Sequence, residues 1–333
     1  MAVTLAEASN NAQDDFDASV IDEFRKESAV LDTLTFDDAV NPAGGGATMT
    51  YGYRRLATQP TAATRALNNE YTAQEVTTTK HDVDLAVMGG SFRVDRVIAR
   101  IGPAASGAVA LNMAQKIKAT RTKFQDEVIN GDTAVDANGF DGLDKALAGS
   151  STEFRASAVT DWSALDSTEK RLTALDDLDE FLSLLDGTPT ILLGNKQLLA
   201  KVRSIVRGTG MYVRDAVEGL LGPNGRPINR ESYGGVTFAD PGEKAGSNTP
   251  IIPVETRTVG TPQTNLTDLY AYRVGLDGFH GVTTVGSQLV ASWMPDFSTP
   301  GAVKTGEVEL GPVAVALKAT KAAAVFRNIK VAA

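Results

Sequence analysis

The stretch AVALNMAQKIKATRTKFQDEVINGDTAVDANGFDGL, residues 108–143, decides the fold of this chain. Residues 108–130 contain neither glycine nor proline, and they place apolar side chains on one face at helical spacing. These side chains are Val109, Met113, Ile117, Phe124 and Val128. At 1.5 Å per residue the predicted helix is about 35 Å long. The turn-rich residues 136–143 that follow lack the closing glutamate of an EF-hand calcium loop, so they predict a stack of turns.

Extended segments precede this helix. Residues 48–53 and 76–85 are β-branched, alternating runs, and residues 92–98 predict a further strand. The polar stretch between the first two runs is too long for a tight hairpin. It therefore predicts a protruding β-loop, and loops of that length usually have a function or contact a partner.

An α/β arrangement follows the turns. Residues 167–186 predict a second helix whose inward face carries five leucines: Leu172, Leu175, Leu178, Leu182 and Leu185. The acidic residues at 176–180 are predicted on its solvated outer face. A buried strand is predicted at 190–193, and Asn195 is predicted to cap a third helix that ends at Arg207. Residues 308–331 predict a pair of closing strands.

Composition excludes several classes of function. The 333 residues contain no cysteine, which excludes disulfides, thiolate catalysis and iron–sulfur clusters. His81 is predicted at a strand edge and His280 in a loop, and Trp162 and Trp293 are predicted as core or interface anchors. No nucleotide-binding, serine-hydrolase or zinc-protease motif is present. We therefore predict no catalytic residue, no cofactor, no metal site and no membrane segment.

Charge is distributed unevenly along the chain. Residues 1–40 carry ten acids and two bases, whereas residues 93–123 carry seven bases and one acid. This asymmetry predicts that the acidic segment meets the basic one, in the same chain or in a neighbouring copy. The alternative is a solvated acidic arm beside an unrelated helix with exposed lysines. The predicted contact residues in these segments are Asp14, Asp15, Phe16, Asp17, Asp22, Arg93, Arg96, Lys116, Arg121 and Lys123.

The order of these elements resembles that of the major capsid proteins of tailed bacteriophages, which have the HK97-type shell fold. The matching segments are residues 66–71, 83–87, 92–96, 108–130, 138–143 and 188–195. The resemblance implies an α+β fold with an N-terminal arm at 1–43 and a long β-hairpin, the E-loop, at 44–90. It also implies a peripheral domain at 91–150 with a long spine helix, completed by about 301–333, and an α/β axial domain at 151–300.

The resemblance further implies a structural protein, not an enzyme. Copies would assemble through hexamers and pentamers into an icosahedral shell around double-stranded DNA, with Arg54, Arg55 and Arg65 of the E-loop contacting acids of a neighbour. Other implied partners are a portal, a decoration protein and a separate scaffolding protein, because the E-loop begins close to Met1. The implied location is the virion, and the host cytoplasm during assembly.

One family feature is missing from this sequence. Some members join an E-loop lysine to an asparagine of a neighbour, but residues 47–79 contain no lysine, which argues against such a cross-link here. Two alternatives remain open from the sequence. One is an encapsulin-type nanocompartment shell protein, and the other is a hydrolase that uses Asp and Glu side chains.

Overall fold

A computed structural model describes residues 29–41, 49–98, 103–208, 213–221, 227–233, 235–247, 249–284, 286 and 289–332. Its helices are α1 Ala29–Thr33, α2 Pro103–Asn130, α3 Leu143–Leu147, α4 Thr168–Ser183 and α5 Lys196–Gly208. Its strands are β1 Phe36–Val40, β2 Thr50–Leu56, β3 Thr78–Asp84, β4 Ala86–Asp95, β5 Glu153–Phe154, β6 Thr160–Asp161, β7 Ile191–Leu193, β8 Val213–Leu221, β9 Pro227–Tyr233, β10 Val236–Ala239, β11 Glu255–Val259, β12 Thr261–Tyr272, β13 Phe279–Thr284, β14 Val290–Trp293, β15 Val303–Leu317 and β16 Ala323–Lys330.

These strands form three sheets. A five-stranded sheet has the order β1-β13-β15-β14, and β4 pairs with the long strand β15. A nine-stranded sheet has the order β5-β16-β12-β7-β10-β9-β8, with β11 added to β12 and β6 added to β16. The third sheet is the two-stranded antiparallel ribbon β2–β3. The sheets combine parallel and antiparallel pairing, which agrees with the α+β class.

The long helix α2 covers one face of the five-stranded sheet. Its predicted apolar face is confirmed, because Val109, Met113, Phe124 and Val128 are buried. The first half of this face packs on Phe92, Val94 and Val308, and the second half joins the main core. The helix begins five residues earlier than predicted, at Pro103, and proline is well suited to the first turn of a helix because its missing N–H has no partner there.

The turn stack after α2 is also confirmed. The amide of Gly142 donates to the carbonyl of Gly131 at 2.8 Å, and Phe140 and Leu143 are buried beneath the turns. A Cβ atom at Gly142 would lie 2.5 Å from the carbonyl oxygen of Glu127, so glycine is required for this close approach. The glycines of this stretch thus let the turns fold back on the end of α2.

The helices α4 and α5 pack on the nine-stranded sheet. The buried strand β7 and the cap at Asn195, whose Oδ1 accepts from Leu198 N at 2.9 Å, are as predicted. The predicted inward face of α4 is partly wrong, because Leu172 is 48% exposed and Phe181 is fully buried instead. α4 buries Ala174, Leu175, Leu178 and Phe181, a face rotated away from Leu172.

One acid of α4 contradicts the predicted solvated face. Asp177 is buried and forms an ion pair with Arg155. Burial raises the pKa of the Asp177 carboxyl, and the neighbouring Arg155 opposes that shift. Arg155 lies in the left-handed backbone region at φ 53°, with its guanidinium 5.1 Å from the centre of the Phe154 ring. Asp177 therefore fixes an unusual backbone position beneath the helix.

The closing strands form, but they do not pair with each other. β15 belongs to the five-stranded sheet, whereas β16 pairs with β12 in the nine-stranded sheet. The short 3-10 turn Thr320–Ala322 lies between the two strands, where the chain passes from one sheet to the other. The two predicted closing strands are confirmed, but the sequence does not indicate that they join different sheets, because the alternating pattern identifies strands and not their partners.

Both histidines lie in strands. His81 lies in β3 as predicted, but the predicted loop position of His280 is wrong, because this residue is in β13 and is fully buried. Trp162 is a core residue, and Trp293 is 51% exposed. No helix in the described part of the chain has the length and the apolar character needed to cross a membrane.

Candidate assembly surfaces

The ribbon β2–β3 and its tip, residues 57–77, form a hairpin whose ribbon, here called the hairpin base, packs on the rest of the protein through one face. Its strands pair in register from Thr50 opposite Asp84 to Leu56 opposite Thr78. Successive side chains of a strand point to opposite faces, so the ribbon has an inner and an outer face. The inner face carries Tyr51, Tyr53 and Arg55.

The inner face anchors the hairpin base through polar contacts. The hydroxyl of Tyr51 donates to Asp37 Oδ2 at 2.9 Å, and that of Tyr53 donates to the carbonyl of Leu317 at 2.9 Å. Arg55 donates from Nε to the carbonyl of Lys318 at 2.8 Å, and from Nη2 to that of Leu317. These contacts join the hairpin to β1 and to the end of β15.

The outer face of the hairpin is exposed. Arg54 lies directly opposite Lys80 in the register, and like charges in that position repel each other. Lys80 Nζ is 2.9 Å from the carboxylate of Asp82, which offsets part of this repulsion. Leu56, the next outward residue, is 57% exposed. This face therefore offers a cation and an apolar side chain to a partner.

Every residue of the tip is exposed. Hydrogen bonds between polar groups of the tip hold its two sides together. The backbone amide of Thr61 donates to Gln74 Oε1 at 2.7 Å, and Gln74 Nε2 donates to the Thr61 hydroxyl at 2.7 Å. Leu67 is 90% exposed and Tyr71 63%. The guanidinium of Arg65 lies 5.6 Å from the centre of the Tyr71 ring, and Nη1 donates to the carbonyl of Asn69 at 3.1 Å. The tip thus has internal structure, and the described residues do not bury its large apolar side chains.

The predicted basic contact residues do not share one surface. Arg93 is exposed on the face of β4 opposite to Phe92 and Val94, which pack against α2, so it points away from the helix. Arg96 is exposed just after β4, and Arg121 is exposed on α2. The basic segment is therefore divided between the two sides of a sheet.

Several predicted contact residues already have partners within the chain. Lys123 forms an ion pair with Glu127 one turn along α2, and Lys116 is half-buried against β4 near Gly90. Arg55 and Arg65 bind their own chain as described above, whereas Arg54 is exposed. The predicted acidic and apolar contacts Asp14, Asp15, Phe16, Asp17 and Asp22 lie outside the described residues.

A buried ionic cluster, which sequence reasoning missed, connects the turn region to the nine-stranded sheet. Arg327 on β16 binds Asp144 on α3, Glu153 on β5 at 2.9 Å and Asp268 on β12 at 3.1 Å. Asp268 also binds Arg257 at 2.7 Å. Burial lowers the pKa of Arg327, but Tyr270, Asp268 and the hydrogen bond to Asp144 together raise it above its ordinary value. These residues lie far apart in sequence, so no local pattern indicates the cluster.

An open cleft of about 690 Å³ lies between the hairpin and the turn stack. Phe279, Val315 and Leu317 contribute apolar side chains, and Asp82 and Asp141 are among the charged residues that line the cleft. Asp141 is bound by Thr133 and Lys145. Within the described ranges, no three His, Asp or Glu side chains come together as a metal-binding group.

Known structures share this arrangement over almost the whole chain. No protein-family model matches the sequence, and no curated protein matches it significantly. A structure from Mycobacterium phage Bobi is similar with a TM-score of 0.61 and 13% identity, and 99% of each chain is covered. The capsid of a native GTA particle is similar with a TM-score of 0.57 and 12% identity, and 100% of each chain is covered.

A third similar structure is the holo-SrpI encapsulin complex from Synechococcus elongatus PCC 7942. Its TM-score is 0.59 and its identity 15%, with 99% of this chain and 97% of that chain covered. The chain has the HK97-type shell fold. Two parts of the hairpin are exposed, its tip and its outer face, and the predicted basic residues lie on both sides of the five-stranded sheet.

Proposed function

We propose that this chain is the major subunit of an icosahedral shell that assembles through hexamers and pentamers and encloses double-stranded DNA. The observation that carries the proposal is the hairpin tip, in which every residue is exposed, among them the large apolar side chains of Leu67 and Tyr71. Exposed apolar side chains on an ordered projection favour contact with another protein surface. Coverage of whole shell proteins by the whole chain agrees with this role.

The proposed shell role assigns a part to each segment. Residues 1–43 would be an arm on a neighbour, 44–90 the E-loop, 91–150 with part of 301–333 the peripheral domain, and 151–300 the axial domain. The pairing of β16 with β12 supports assigning 323–330 to the axial domain instead of the peripheral one. Arg54 at the outer face would contact a carboxylate of the adjacent copy. A scaffolding protein, a portal and a decoration protein belong to the same proposal, as do assembly in the host cytoplasm and a final place in the virion.

The second candidate is a nanocompartment shell that encloses a protein cargo, which the similarity to the SrpI encapsulin supports. The two candidates differ in content. Particles purified from the native source or from expressing cells are imaged by electron microscopy and then treated with nuclease. We expect closed shells that protect double-stranded DNA when they come from virions. Shells filled with one co-purifying protein and no DNA would favour the second candidate, and a monomer that forms no particle would contradict both.

A further inference from the structure

The chain contains two histidines, and both contact the tyrosines on the inner face of the hairpin base. The His280 ring meets the Tyr51 ring edge to face, with centres 5.9 Å apart and planes at 79°. The His81 ring stacks on the Tyr53 ring, with centres 5.4 Å apart and planes at 19°. The side chains that most readily change charge between pH 5 and 8 therefore lie at one joint.

His280 has an unusual environment for a polar side chain. It is fully buried in β13, and neither of its ring nitrogens forms a hydrogen bond of good geometry among the described residues, although the backbone of Gly275 and of Gly278 lies near enough to favour a proton on the ring. Buried polar groups normally form hydrogen bonds, because leaving them unpaired is costly. A neutral imidazole can be accommodated against the Tyr51 ring. An imidazolium would need a counter-charge or water at the same place.

The charged and titratable groups that face His280 come from the three elements packed against it. β1 contributes Asp37, β2 contributes Tyr51, and Lys318 follows the end of β15. Lys318 Nζ lies 4.0 Å from Asp37 Oδ2 and 5.4 Å from the centre of the Tyr51 ring. Asp37 is thus already engaged by Tyr51 and Lys318, which limits its capacity to neutralise a second cation.

These surroundings set the direction of the proton equilibrium. Burial lowers the pKa of His280 and the positive charge of Lys318 lowers it further, while Asp37 and the backbone of Gly278 and Gly275 oppose part of this shift. Burial raises the pKa of Tyr51 and of Tyr53, so both tyrosines stay neutral over the same range. His280 is thus the buried imidazole of this joint, and its surroundings favour the neutral form.

We propose that His280 is a proton-operated latch: in its neutral form it holds the hairpin base against β1 and β15, and in its protonated form it releases the hairpin. Protonation places a cation beside Lys318 under the Tyr51 ring, and the hairpin must move to admit water. The docked hairpin disfavours the protonated form of His280. The free energy of docking is therefore fully present above the ordinary histidine pKa, about 6.5, and decreases as pH falls below it. The ratio of released to docked hairpins rises by up to about tenfold per pH unit.

The consequence for a shell rests on the proposed function: there, the latch would make the position of the hairpin tip on a neighbouring copy depend on pH. The latch itself requires only the single chain. Its test is therefore independent of assembly, and a failure to form shells leaves the measurement of the joint intact.

Two introduced cysteines make the joint measurable, since the natural chain contains none. Thr64→Cys at the tip and Ser157→Cys on the body are both at exposed positions and carry a donor and an acceptor dye. Energy transfer is recorded from pH 8 to pH 5 on full-length chains, either free or diluted among unlabelled copies in shells. We expect one proton-dependent step in energy transfer below about pH 6.5.

Variants assign the step. His280→Phe and His280→Gln should remove it, and the second variant guards against a folding defect in the first. His81→Gln is the matched control and should keep the step, because its ring is half-exposed. In histidine-labelled NMR spectra, the signal absent from His280→Gln should titrate with the same midpoint. Constant transfer in the natural sequence, a step that persists in both His280 variants, or a step lost in His81→Gln would overturn the latch.

Discussion

Arg327 holds together elements that no local interaction would join. Its guanidinium takes a carboxylate from α3, from β5 and from β12, and its side chain is only 12% exposed. Buried ion pairs add little net stability compared with a well-packed apolar core, but removing one partner leaves uncompensated charge. In this protein Asp268, at 3% exposure, would be the carboxylate most affected.

We therefore expect Arg327→Met to lower the free energy of unfolding by about 3–5 kcal/mol. Chemical denaturation measured by circular dichroism gives this value. Lys170→Met is the matched control, because Lys170 forms an exposed ion pair with Asp166 at 2.8 Å, and this change should leave stability as it is. Equal effects of the two substitutions would show that the Arg327 cluster is no more important than a surface pair.

A lysine of α3 binds carboxylates beside the turn stack. Lys145 pairs with Asp132 and lies 3.4 Å from Asp141. The hydrogen bond from Lys145 lowers the pKa of Asp132. Burial acts to raise the pKa of Asp141, but the hydrogen bonds from Thr133 and Lys145 outweigh burial and lower it. The stabilisation is thus present above the ordinary aspartate pKa, about 3.9, and is lost as pH falls through the lowered values.

Lys145→Gln should consequently weaken the acid dependence of stability. Between pH 5 and pH 3 we expect the melting temperature of the natural protein to fall more steeply than that of the variant. Thermal melts at half-unit pH steps measure the two slopes. Superimposable slopes would mean that Lys145 does not couple to these carboxylates.

At the level of elements, the hairpin is separable from the body of the protein. The hydroxyls of Thr58 and Thr77 lie 3.0 Å apart where the ribbon opens into the tip. The tip beyond them makes its hydrogen bonds within itself, so the core should not depend on it. Exposed apolar side chains of this kind favour contact with another protein surface, so the tip is expected to act in assembly.

Replacing residues 59–76 by Asn-Gly, a two-residue turn suited to a hairpin, should leave the melting temperature unchanged and abolish shell formation. Size-exclusion chromatography and electron microscopy distinguish the two outcomes. The control is Leu67→Ala, which keeps the loop and removes one apolar contact, and should weaken assembly less. Shells of normal size from the shortened chain would show that the tip is dispensable.

Elements with strong local periodicity could be predicted from the sequence, while their partners could not. The apolar face of α2 repeats over 20 residues, and the extended runs that became β2 and β3 alternate along their length. Asp177 was misjudged because its acidic neighbours suggest a solvated face, and its partner Arg155 lies 22 residues away. The separation of β15 from β16, the buried position of His280 and the Arg327 cluster depend on contacts between distant segments, which a local pattern does not encode.

At the scale of the whole molecule, the absence of lysine from residues 47–79 predicts a shell held by non-covalent contacts. Particles boiled in denaturant should then give one band near the 35.1 kDa of the monomer on a gel. Urea-treated particles without boiling provide the comparison for incomplete dissociation. A ladder of multimers that resists boiling would contradict this expectation.

The pairing of the acidic arm with the basic segment also remains a prediction. The fold reduces the number of basic residues that one arm can reach. An arm that lies along α2 can approach Lys116 and Arg121, whereas Arg93 on the opposite sheet face needs a different partner. In an assembled structure we expect arm carboxylates within about 10 Å of the α2 bases, a distance comparable to the Debye length at 0.1 M salt. If every arm carboxylate lay farther than this from the basic side chains of α2, the predicted pairing would be wrong, and a scaffold or DNA would be the expected partner of those side chains.

The position of β16 has a consequence for the timing of biosynthesis. This strand lies between β12 and the short strands β5 and β6, so the nine-stranded sheet stays divided until residues 323–330 have been made. At about 5–20 residues per second, the ribosome reaches β16 on the order of 10 s after β7. A nascent or prematurely terminated chain therefore lacks the strand that closes its sheet, and translation itself delays completion of the fold.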